Sequence, residues 1–533
     1  MRIARNLHSR GAALVACVFL LAPSAGAAGG DLDPTFGTAG LVTTDFESRD
    51  DFGVGAALQP DGKIVVAGNS AVFGPFNVDF ALARYNPDGN LDSTFGSGGT
   101  VRNDFGTSID AATDVVVLAD GKVVAAGVSG GNFAVARYNP DGSFDATFGS
   151  GAPATADFGA FDQANALILQ ADGKLVCVGF SGDQFALARF TGDGSLDTTF
   201  GTGGKVTTDF GSFDQGFDAA GTADGKIVAT GRTGDNFALA RYDANGALDA
   251  SFGSGGKVTT DLGGSDLPSA VAIDALGRAV AAGTSSGDFA LARYNVDGSP
   301  DAGFGVAGIV KTDVSSGSQD NAFAVVVHPE GGITAAGGSS SDPQSSDFAL
   351  ARYDSGGNLD ISFGSGGKVT TAFPTPLSNA LDLLVQPDGK IVAVGGTRDL
   401  AVSGSGDVAL ARYLGTPTAI TVALDIKPGS EENVVPLQSA GVVPVAILTT
   451  DRFDAGTVQA NSVCFGDAEA VAERACTHRS ARLVDVNGDG RSDLLLHFEI
   501  GKTGIDPGDT KACLTGETSA GISIEGCDRI STR

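Results

Sequence analysis

The residues best suited to chemistry lie near the C-terminus, in the nonapeptide DVNGDGRSD at 485–493. Gly490 permits a sharp turn there, and oxygen side chains recur around it. Hard oxygen ligands crowded about a turn are what a calcium ion needs, although Leu496 replaces the glutamate that an EF-hand would carry. We therefore predict a calcium loop with a weak affinity of roughly 0.1–1 mM. The alternative is an Asp/Asn/Gly turn without metal. The predicted ligands are Asp485, Asn487, Asp489, Asp493 and the backbone carbonyl of Arg491.

A second set of acidic residues recurs in segments such as VTTDFGSFD at 206–214. Each segment carries two aspartates ahead of an apolar run, beginning with Asp45 and Asp50, and the copy at 369–379 has neither. Capping of turns by aspartate is the simpler interpretation. Cation binding on one face near a central channel is the alternative. The positions predicted for such a face are Asp104, Asp157, Asp209 and Asp261.

Four of the six cysteines lie within the last 70 residues, at Cys464, Cys476, Cys513 and Cys527. In an exported protein such a cluster predicts two disulfides. Three pairings are open, and we favour the two local ones, 464–476 and 513–527. Cys177 stands alone in the apolar run KLVCVGF and is predicted to be buried.

Residues for acid–base or nucleophilic catalysis are sparse. Beyond the leader the histidines are His328, His478 and His497, and no two have the spacing of metal ligands. Two G-x-S-x-G matches, at 127–131 and 283–287, lie in a glycine-rich connection rather than at a strand-to-helix turn. The chain has no tryptophan. These observations favour a binding or structural protein over an enzyme.

The N-terminus has the layout of a secretion signal, with Arg2, Arg5 and Arg10 ahead of an apolar run and A-x-A at 25–27. We predict a signal peptide at 1–28, and a lipoprotein-type site at 14–17 is the alternative. The protein is thus expected in the periplasm, at the cell surface or in the medium, without a membrane span. Residues 1–30 hold three arginines and no acids, so their removal changes the net charge from −29 to −32. Such a charge repels phosphate backbones and excludes nucleic acid as a partner.

A repeat of about 50 residues positions these groups. The stretch FALARYNPDGNLDSTFG at 80–96 returns with small changes along the chain, and D-G or N-G pairs mark a hairpin in each unit. Each unit contains three clear strands, and a fourth is formed by the LDSTFG segment, by the VTTDF-like segment, or by both. Seven such units predict an all-β fold, a seven-bladed β-propeller at 31–413, with a solenoid as the alternative.

Two features of the repeat lead to further predictions. The first LDxxFG copy, at 31–37, has no ALAR run before it, and the last run, at 408–413, has no LDxxFG copy after it. We therefore expect the 31–37 segment to lock the last blade and close the ring. A charge within each sheet needs a partner, so the ALAR arginines should pair with the LDxxFG aspartates, and a ring of ligand-binding arginines is the alternative. The arginines are Arg84, Arg137, Arg189, Arg241, Arg293, Arg352 and Arg412; the aspartates are Asp33, Asp92, Asp145, Asp197, Asp249, Asp301 and Asp360.

The sequence motifs DGKIVVAG, FALARYNPDGNLDSTFG and GTGGKVTTDF resemble those of a known family. Across 31–413 the chain resembles the delta-60 repeat β-propellers of exported bacterial proteins, which implies a fold but no defined reaction. After a linker at 414–418, the words IKPGS, VPVAIL and GDTKACLTGET resemble a recurrent C-terminal module of exported bacterial proteins. We expect residues 419–533 to form a small β-sandwich. The DVNGDGRSD loop is similar to the strand-linked calcium loops of other extracellular modules.

The sequence therefore predicts an exported, non-enzymatic, monomeric binding or scaffolding protein with a calcium-stabilised C-terminal module. Its partner would be a protein or a surface glycan. The alternatives are a hydrolase or lyase with a metal-assisted site at the propeller mouth, and a purely structural secreted protein.

Overall fold

The structure is a computed structural model of the chain. It describes residues 29–46, 49–73, 76–342, 344–402, 404–415, 420–430, 433–437, 441–450, 453–468, 474–476, 478–518 and 523–532. The signal peptide predicted at 1–28 and most of the linker predicted at 414–418 lie outside these residues.

Residues 29–415 form a seven-bladed β-propeller of antiparallel four-stranded sheets, which confirms the predicted fold class. The inner strands, next to the central channel, are Asp50–Leu58, Asp110–Val117, Asp162–Leu169, Asp214–Gly221, Asp266–Ile273, Gln319–Val327 and Leu377–Val385. The second strands are Ile64–Phe73, Val123–Ser129, Leu175–Ser181, Ile227–Thr233, Ala279–Ser285, Ile333–Asp342 and Ile391–Arg398. The third strands are Phe76–Tyr85, Asn132–Tyr138, Gln184–Phe190, Asn236–Tyr242, Asp288–Tyr294, Ser345–Tyr353 and Asp407–Tyr413. The outer strands are Thr100–Asn103, Ala154–Ala156, Lys205–Thr208, Lys257–Thr260, Ile309–Thr312, Lys368–Thr371 and, in blade 7, Leu41–Thr44.

The outer strand of each blade comes from the VTT segment, which decides between the alternatives left open by the sequence. The LDxxFG segment forms a turn instead, with a single bridge such as Tyr85↔Leu91. Gly96 shows why this segment turns: its φ is +54°, and a Cβ there would lie 2.1 Å from the Thr100 carbonyl oxygen. Only glycine fits at that position.

The third strands show how one sequence builds the core between blades. Phe80 and Leu82 are fully buried against blade 2, because residues two apart share a face of the strand. Ala81 and Ala83 point the other way and pack against blade 7. The small alanines allow that close approach, and Tyr85 donates its hydroxyl to Thr44 Oγ1 of the neighbouring blade at 2.8 Å.

The N-terminal segment closes the ring, although not with the strand that we expected. Leu41–Thr44 pairs with the third strand of blade 7, with Leu41 opposite Ala411. The 31–37 segment is a turn that adds the bridge Leu32↔Tyr413. It turns because the Asp33 carboxylate accepts the Thr35 backbone N–H at 3.0 Å and Gly37 has a positive φ.

The C-terminal region contains two four-stranded sheets and a two-stranded pair. One sheet has the strand order Ile420–Thr421, Ser523–Arg529, Lys511–Glu517, Cys464–Asp467; the other has Leu424–Ile426, Val442–Ile447, Asp493–Glu499, His478–Val484; the pair is Val434–Val435 and Ser531–Thr532. Both sheets contribute to one apolar core, Phe465 and Leu514 from the first and Val445 and Leu496 from the second, as in a sandwich. Disulfides join Cys464 to Cys476 and Cys513 to Cys527, the two local pairings.

Regular helix is confined, among the described residues, to short 3₁₀ turns at Gly149–Gly151, Ala455–Thr457, Ala460–Ser462 and Ile500–Lys502. No helix in this part of the chain is long and apolar enough to cross a membrane.

Candidate binding face, channel and calcium loop

The seven repeat arginines lie against the seven LDxxFG aspartates. The distance from arginine Nε to aspartate Oδ2 is 2.8–3.3 Å in every blade, and Arg412 uses Asp33 from the N-terminal turn. The arginine side chains are only 4–12% exposed. They are therefore engaged inside the blades rather than presented as a ring for a ligand.

Each arginine makes further contacts that the sequence did not reveal. Arg84 Nη1 donates to the Pro140 carbonyl of the next blade at 2.6 Å, and its guanidinium lies 4.5 Å from the centre of the Phe95 ring. The same stacking recurs in all seven blades at 4.4–5.8 Å. The phenylalanine of LDxxFG thus stacks with the arginine guanidinium as well as packing in the core.

A second cation completes most of these sites. Lys122 donates to Asp145 at 2.7 Å, opposite Arg137. The hydrogen bond from Lys122, followed by those from Thr147 and Arg137, holds the pKa of Asp145 well below its usual value, against the opposing effect of burial. Blade 6 departs from this pattern, because Glu330 approaches Arg352 to 3.0 Å in a repeat that lacks the lysine.

One face of the propeller carries the turns between second and third strands and the connections from each outer strand to the next inner strand. We call it the hairpin face; the D-G turns lie at the opposite ends of the strands. In blades 2 to 5 the hairpins are two-residue turns, 130–131, 182–183, 234–235 and 286–287. In blades 1 and 6 the extra residues lengthen the strands, to Phe73 and Asp342. In blade 7 they form the connection 399–406. Blades 6, 7 and 1 are neighbours, so the longer hairpins occupy one sector.

The central channel contains a cavity of about 330 Å³, bordered by the inner strands of all seven blades. Asp114, Asp218 and Asp382 face it from blades 2, 4 and 7, each directly after the bulge in its inner strand. Each carboxylate also accepts a backbone N–H from the next blade: from Leu167 at 2.6 Å, Val271 at 2.7 Å and Ala56 at 2.7 Å. These aspartates therefore tie neighbouring blades together while they line the lumen.

The surroundings of the channel aspartates leave their charge weakly compensated. No lysine or arginine is among the described residues that border the cavity. Burial raises the pKa of Asp218 and of Asp382 to about 7, and burial followed by repulsion from Asp382 raises the pKa of Asp114. The three side chains are partly accessible from the lumen, but protein atoms surround them closely enough to disfavour the charged form.

These pKa values predict an unusual pH dependence of stability. An aspartate whose folded-state pKa exceeds its unfolded value binds protons more tightly in the folded state, so stability falls as the pH rises between about 4 and 7. We expect the melting temperature of the propeller to rise when the pH is lowered from about 8 to 5. Below about pH 4 it should fall, because ion-pair aspartates such as Asp145, with lowered pKa values, then become protonated.

Thermal melts across this pH range provide the measurement. The double variant Asp218→Asn/Asp382→Asn should flatten the slope between pH 8 and 5, whereas Asp104→Asn, in an exposed turn, should leave it unchanged. A melting temperature that rises from pH 5 to 8 in the unsubstituted protein would contradict the prediction.

The aspartates predicted for a cation face lie in exposed turns after the outer strands. The carboxylates of Asp104, Asp157, Asp209 and Asp261 each accept the backbone N–H two residues on, at 2.5–2.7 Å. These are turn caps. The second aspartate of each segment lies at the start of the next inner strand and is buried. In the first copy Asp50 and Asp51 are both buried there, and Asp51 is the equivalent residue, because it lies opposite Ser70 and accepts the Phe46 N–H at 2.6 Å.

Asp288, Asp313 and Asp320, between blades 5 and 6, form the one set of three acidic or metal-ligating side chains in the described residues whose oxygens lie within 4.8 Å of one another.

The DVNGDGRSD loop connects two antiparallel strands, His478–Val484 and Asp493–Glu499. Asp485 accepts the N–H groups of Gly488 at 2.7 Å and Gly490 at 2.9 Å, and Asp489 accepts that of Arg491 at 2.9 Å. The donor set fits a hard cation, because its carboxylates retain lone pairs after these bonds. Asp493 is less open: it is fully buried, and its two oxygens accept from Thr449 and Val486. The predicted ligands thus lie in one loop, with Asp493 engaged as its anchor.

Seven stretches of the chain match a family model described as domain of unknown function (DUF5122) β-propeller; they are residues 59–95, 118–148, 170–200, 222–252, 277–304, 329–363 and 386–415. No curated protein matches the chain.

Solved structures of similar shape include a catalytically inactive virginiamycin B lyase from Staphylococcus aureus with quinupristin (9% identity, 70% of this chain and 98% of that chain, TM-score 0.44). Another is Sqt1 from Chaetomium thermophilum, bound to the N-terminus of a ribosomal protein (13% identity, 70% and 89%, TM-score 0.42). A third is a fungal alcohol oxidase in complex with copper (13% identity, 92% and 98%, TM-score 0.44). Likenesses this distant assign no activity to the chain.

Proposed function

We propose a function from the geometry of the hairpin face, because the DUF5122 β-propeller model that matches seven stretches of the chain has a description that names no reaction. The protein is an exported, non-enzymatic, monomeric binding or scaffolding protein, and a protein or surface glycan docks where blades 6, 7 and 1 meet. A calcium-stabilised module follows. The two disulfides of the C-terminal region are consistent with an oxidising compartment.

The observation that carries this proposal is the placement of the longer hairpins. Three separate insertions fall in adjacent blades and on one face of a rigid scaffold, where binding surfaces are commonly built. In blades 1 and 6 the inserted residues form paired strands, which hold their side chains in fixed positions, unlike residues in irregular loops. Such surfaces lose less conformational entropy when a partner binds.

Trimming the three hairpins should weaken docking without unfolding the propeller. Deleting 72–77, 341–345 and 399–405 leaves a two-residue turn in each blade, as blades 2 to 5 already have. A partner captured from the surface material of the producing organism should then bind at least tenfold more weakly. A tenfold loss of affinity corresponds to about 1.4 kcal/mol of binding free energy, which the contacts of the three hairpins together would supply.

The matched control is Phe161→Ser/Phe213→Ser. These phenylalanines are 49% and 47% exposed on the same face, in blades 3 and 4. This variant should bind at full strength. Full binding by the trimmed protein, with loss in the phenylalanine variant, would place the docking sector on blades 3 and 4.

Calcium should raise the melting temperature of the C-terminal module through the 485–493 loop. A ligand that binds only the folded state stabilises it by mass action, about 2.7 kcal/mol at a hundredfold excess over the dissociation constant. Calorimetry of the full chain in calcium and in chelator measures the effect. Asp485→Asn/Asp489→Asn should remove it and Asp506→Asn, in another exposed turn, should preserve it. Superimposable curves at millimolar calcium would rule out the site.

A second candidate function is a metal-assisted hydrolase or lyase in the channel. Asp114, Asp218 and Asp382 favour it, because three carboxylates from different blades face one cavity. Their backbone hydrogen bonds to the next blade favour a structural role instead. Hydrolase and lyase assays with added divalent cations, on the protein and on Asp218→Asn, distinguish the two.

A further inference from the structure

Exposed apolar side chains gather in blade 5, on the face of the propeller that carries the D-G turns. Leu276, Val296 and Val306 are 69%, 51% and 81% exposed, and they lie in three turns of that blade. Ile361, in the LDxxFG turn of blade 6, is 81% exposed. Single exposed apolar residues are common on protein surfaces, whereas a group of them in one sector is typical of an interaction site. We call these four residues the blade 5 patch.

The other six blades carry polar residues where two members of the patch lie. The position of Leu276, directly before the glycine of the D-G turn, is acidic in each of them: Asp61, Asp120, Asp172, Asp224, Glu330 and Asp388. The position of Val306, directly after the LDxxFG glycine, bears a hydroxyl in each of them: Thr38, Ser97, Ser150, Thr202, Ser254 and Ser365. Since those blades form their turns with polar residues, the fold does not require the leucine or the valine.

Contacts between the turns hold the patch in place. A Cβ on Gly277 would lie 3.6 Å from Val296 Cγ2, so the D-G turn of blade 5 and the hairpin that follows its third strand are adjacent. Gly305 donates its N–H to the Gly356 carbonyl at 2.8 Å, which places the turn that carries Val306 against blade 6. Docking on turns that are already fixed costs less conformational entropy than docking on mobile ones.

Uncompensated negative charge borders the patch. Asp243, Asp297 and Asp354 lie in the hairpins that follow the third strands of blades 4, 5 and 6. Each carboxylate accepts the backbone N–H two residues on, at 2.8–2.9 Å. None of the three forms an ion pair with a described lysine or arginine; the repeat arginines of these blades are paired with the LDxxFG aspartates instead. The surface that complements this sector is apolar at its centre and basic at its edge.

We propose that the blade 5 patch docks a protein segment in which apolar residues are flanked by lysine or arginine. The four apolar side chains supply the buried contacts, and the hairpin aspartates supply the charge that orients the segment. The patch lies on the face opposite the longer hairpins of blades 6, 7 and 1, so it is a second surface, separate from the docking sector proposed above. A propeller with one such surface on each face can hold two partners at once, as a scaffold does.

Random peptides displayed on phage and selected against the immobilised full chain supply the probe. The matched variant is Leu276→Asp/Val306→Ser, which has at both positions the residue types of the other blades and should melt at the same temperature as the parent. The selected peptides should be rich in apolar and basic residues, and in anisotropy titrations they should bind the parent at least tenfold more tightly than the variant. The variant is more acidic than the parent, so a peptide that binds by charge alone would show no such preference.

Two further variants separate the apolar and the charged contributions. Asp297→Asn/Asp354→Asn keeps an acceptor oxygen for each turn; it should weaken binding of the same peptides and reduce the dependence of that binding on salt. Phe161→Ser/Phe213→Ser removes exposed apolar area from the opposite face and should leave peptide binding unchanged. Trimming the hairpins of blades 1, 6 and 7 should also leave it unchanged, which distinguishes a failure of this proposal from a failure of the docking proposed there.

Peptides that bind the parent and Leu276→Asp/Val306→Ser equally, or a selection that yields no peptide preferring the parent, would overturn the proposal. So would self-association of the parent that the variant lacks in sedimentation, since the patch would then be an interface between copies of the chain. Binding of the parent, but not of the variant, to phosphatidylcholine vesicles would identify a lipid surface as the occupant and would likewise overturn it.

Discussion

A chain that begins at Arg49 is expected to melt on the order of 10 °C below one that begins at Gly29, and to self-associate. The shorter chain lacks the outer strand Leu41–Thr44 and also Asp33, the carboxylate 2.9 Å from Arg412. Removing one partner of a buried ion pair costs about 3–5 kcal/mol. Each kcal/mol lowers the melting temperature by about 2–4 °C in domains of 150–250 residues.

Self-association follows from the edge that this deletion exposes. Without Leu41–Thr44, the third strand of blade 7 presents unpaired backbone groups to solvent, and such edges pair with other chains. Melting curves and sedimentation of the two chains give the measurements. Asp33→Asn in the longer chain separates the ion pair from the strand: it should lower the melting temperature but leave the protein monomeric. If the two chains melt at the same temperature and the chain that begins at Arg49 is monomeric, the N-terminal segment does not stabilise the ring.

The second large effect is expected within a single blade. Asp92→Ala should lower the free energy of unfolding by about 3–5 kcal/mol, because it leaves the buried Arg84 facing Lys63 without the carboxylate between them. Lys63 keeps only its longer contact with Asp61, at 3.6 Å. Both Arg84 and Asp92 have side chains only 6% exposed, so water cannot replace the lost partner. Denaturant unfolding of the propeller measures the change.

Asp104→Ala provides the comparison, since Asp104 is exposed and caps only its own turn through Gly106 at 2.7 Å. It should cost about 1 kcal/mol. Replacing Arg84 and Asp92 together by leucine should recover part of the loss of Asp92→Ala, because apolar replacements of both partners are often tolerated. Similar losses for Asp92→Ala and Asp104→Ala would mean that the repeat pairs are not what holds each blade together.

Much of the fold could be predicted because the same local sequence pattern recurs in seven units. A D-G turn between apolar runs marks a hairpin wherever it occurs, and Arg84 among FALARY requires a partner that LDxxFG supplies. The outer strand could not be chosen from the sequence, since both candidate segments contain short extended runs. The choice depends on Gly96, whose neighbours in space become known only after folding.

The channel aspartates were missed for a related reason. Asp114, Asp218 and Asp382 occur in only three repeats, and each follows a bulge that shifts the register by one residue. Strict alternation therefore does not assign them to the lumen. A charged residue within an otherwise apolar inner strand is the signal that could have found them. The adjacent Asp50 and Asp51 posed the same difficulty, because their roles differ only through contacts such as that of Phe46 with Asp51.

The pairing of Leu41 with Ala411 spans 370 positions of the chain. Contacts so distant in sequence form late, because the loss of chain entropy precedes any gain from the contact. Six blades can acquire their sheets from local hairpins while the segment Leu41–Thr44 still has no partner. Closure of the last blade therefore requires a polypeptide that includes the third strand of blade 7. A polypeptide truncated before that strand can fold most of its sheets, yet it leaves Leu41–Thr44 unpaired. Products of interrupted synthesis should thus be the species that quality-control proteases remove first.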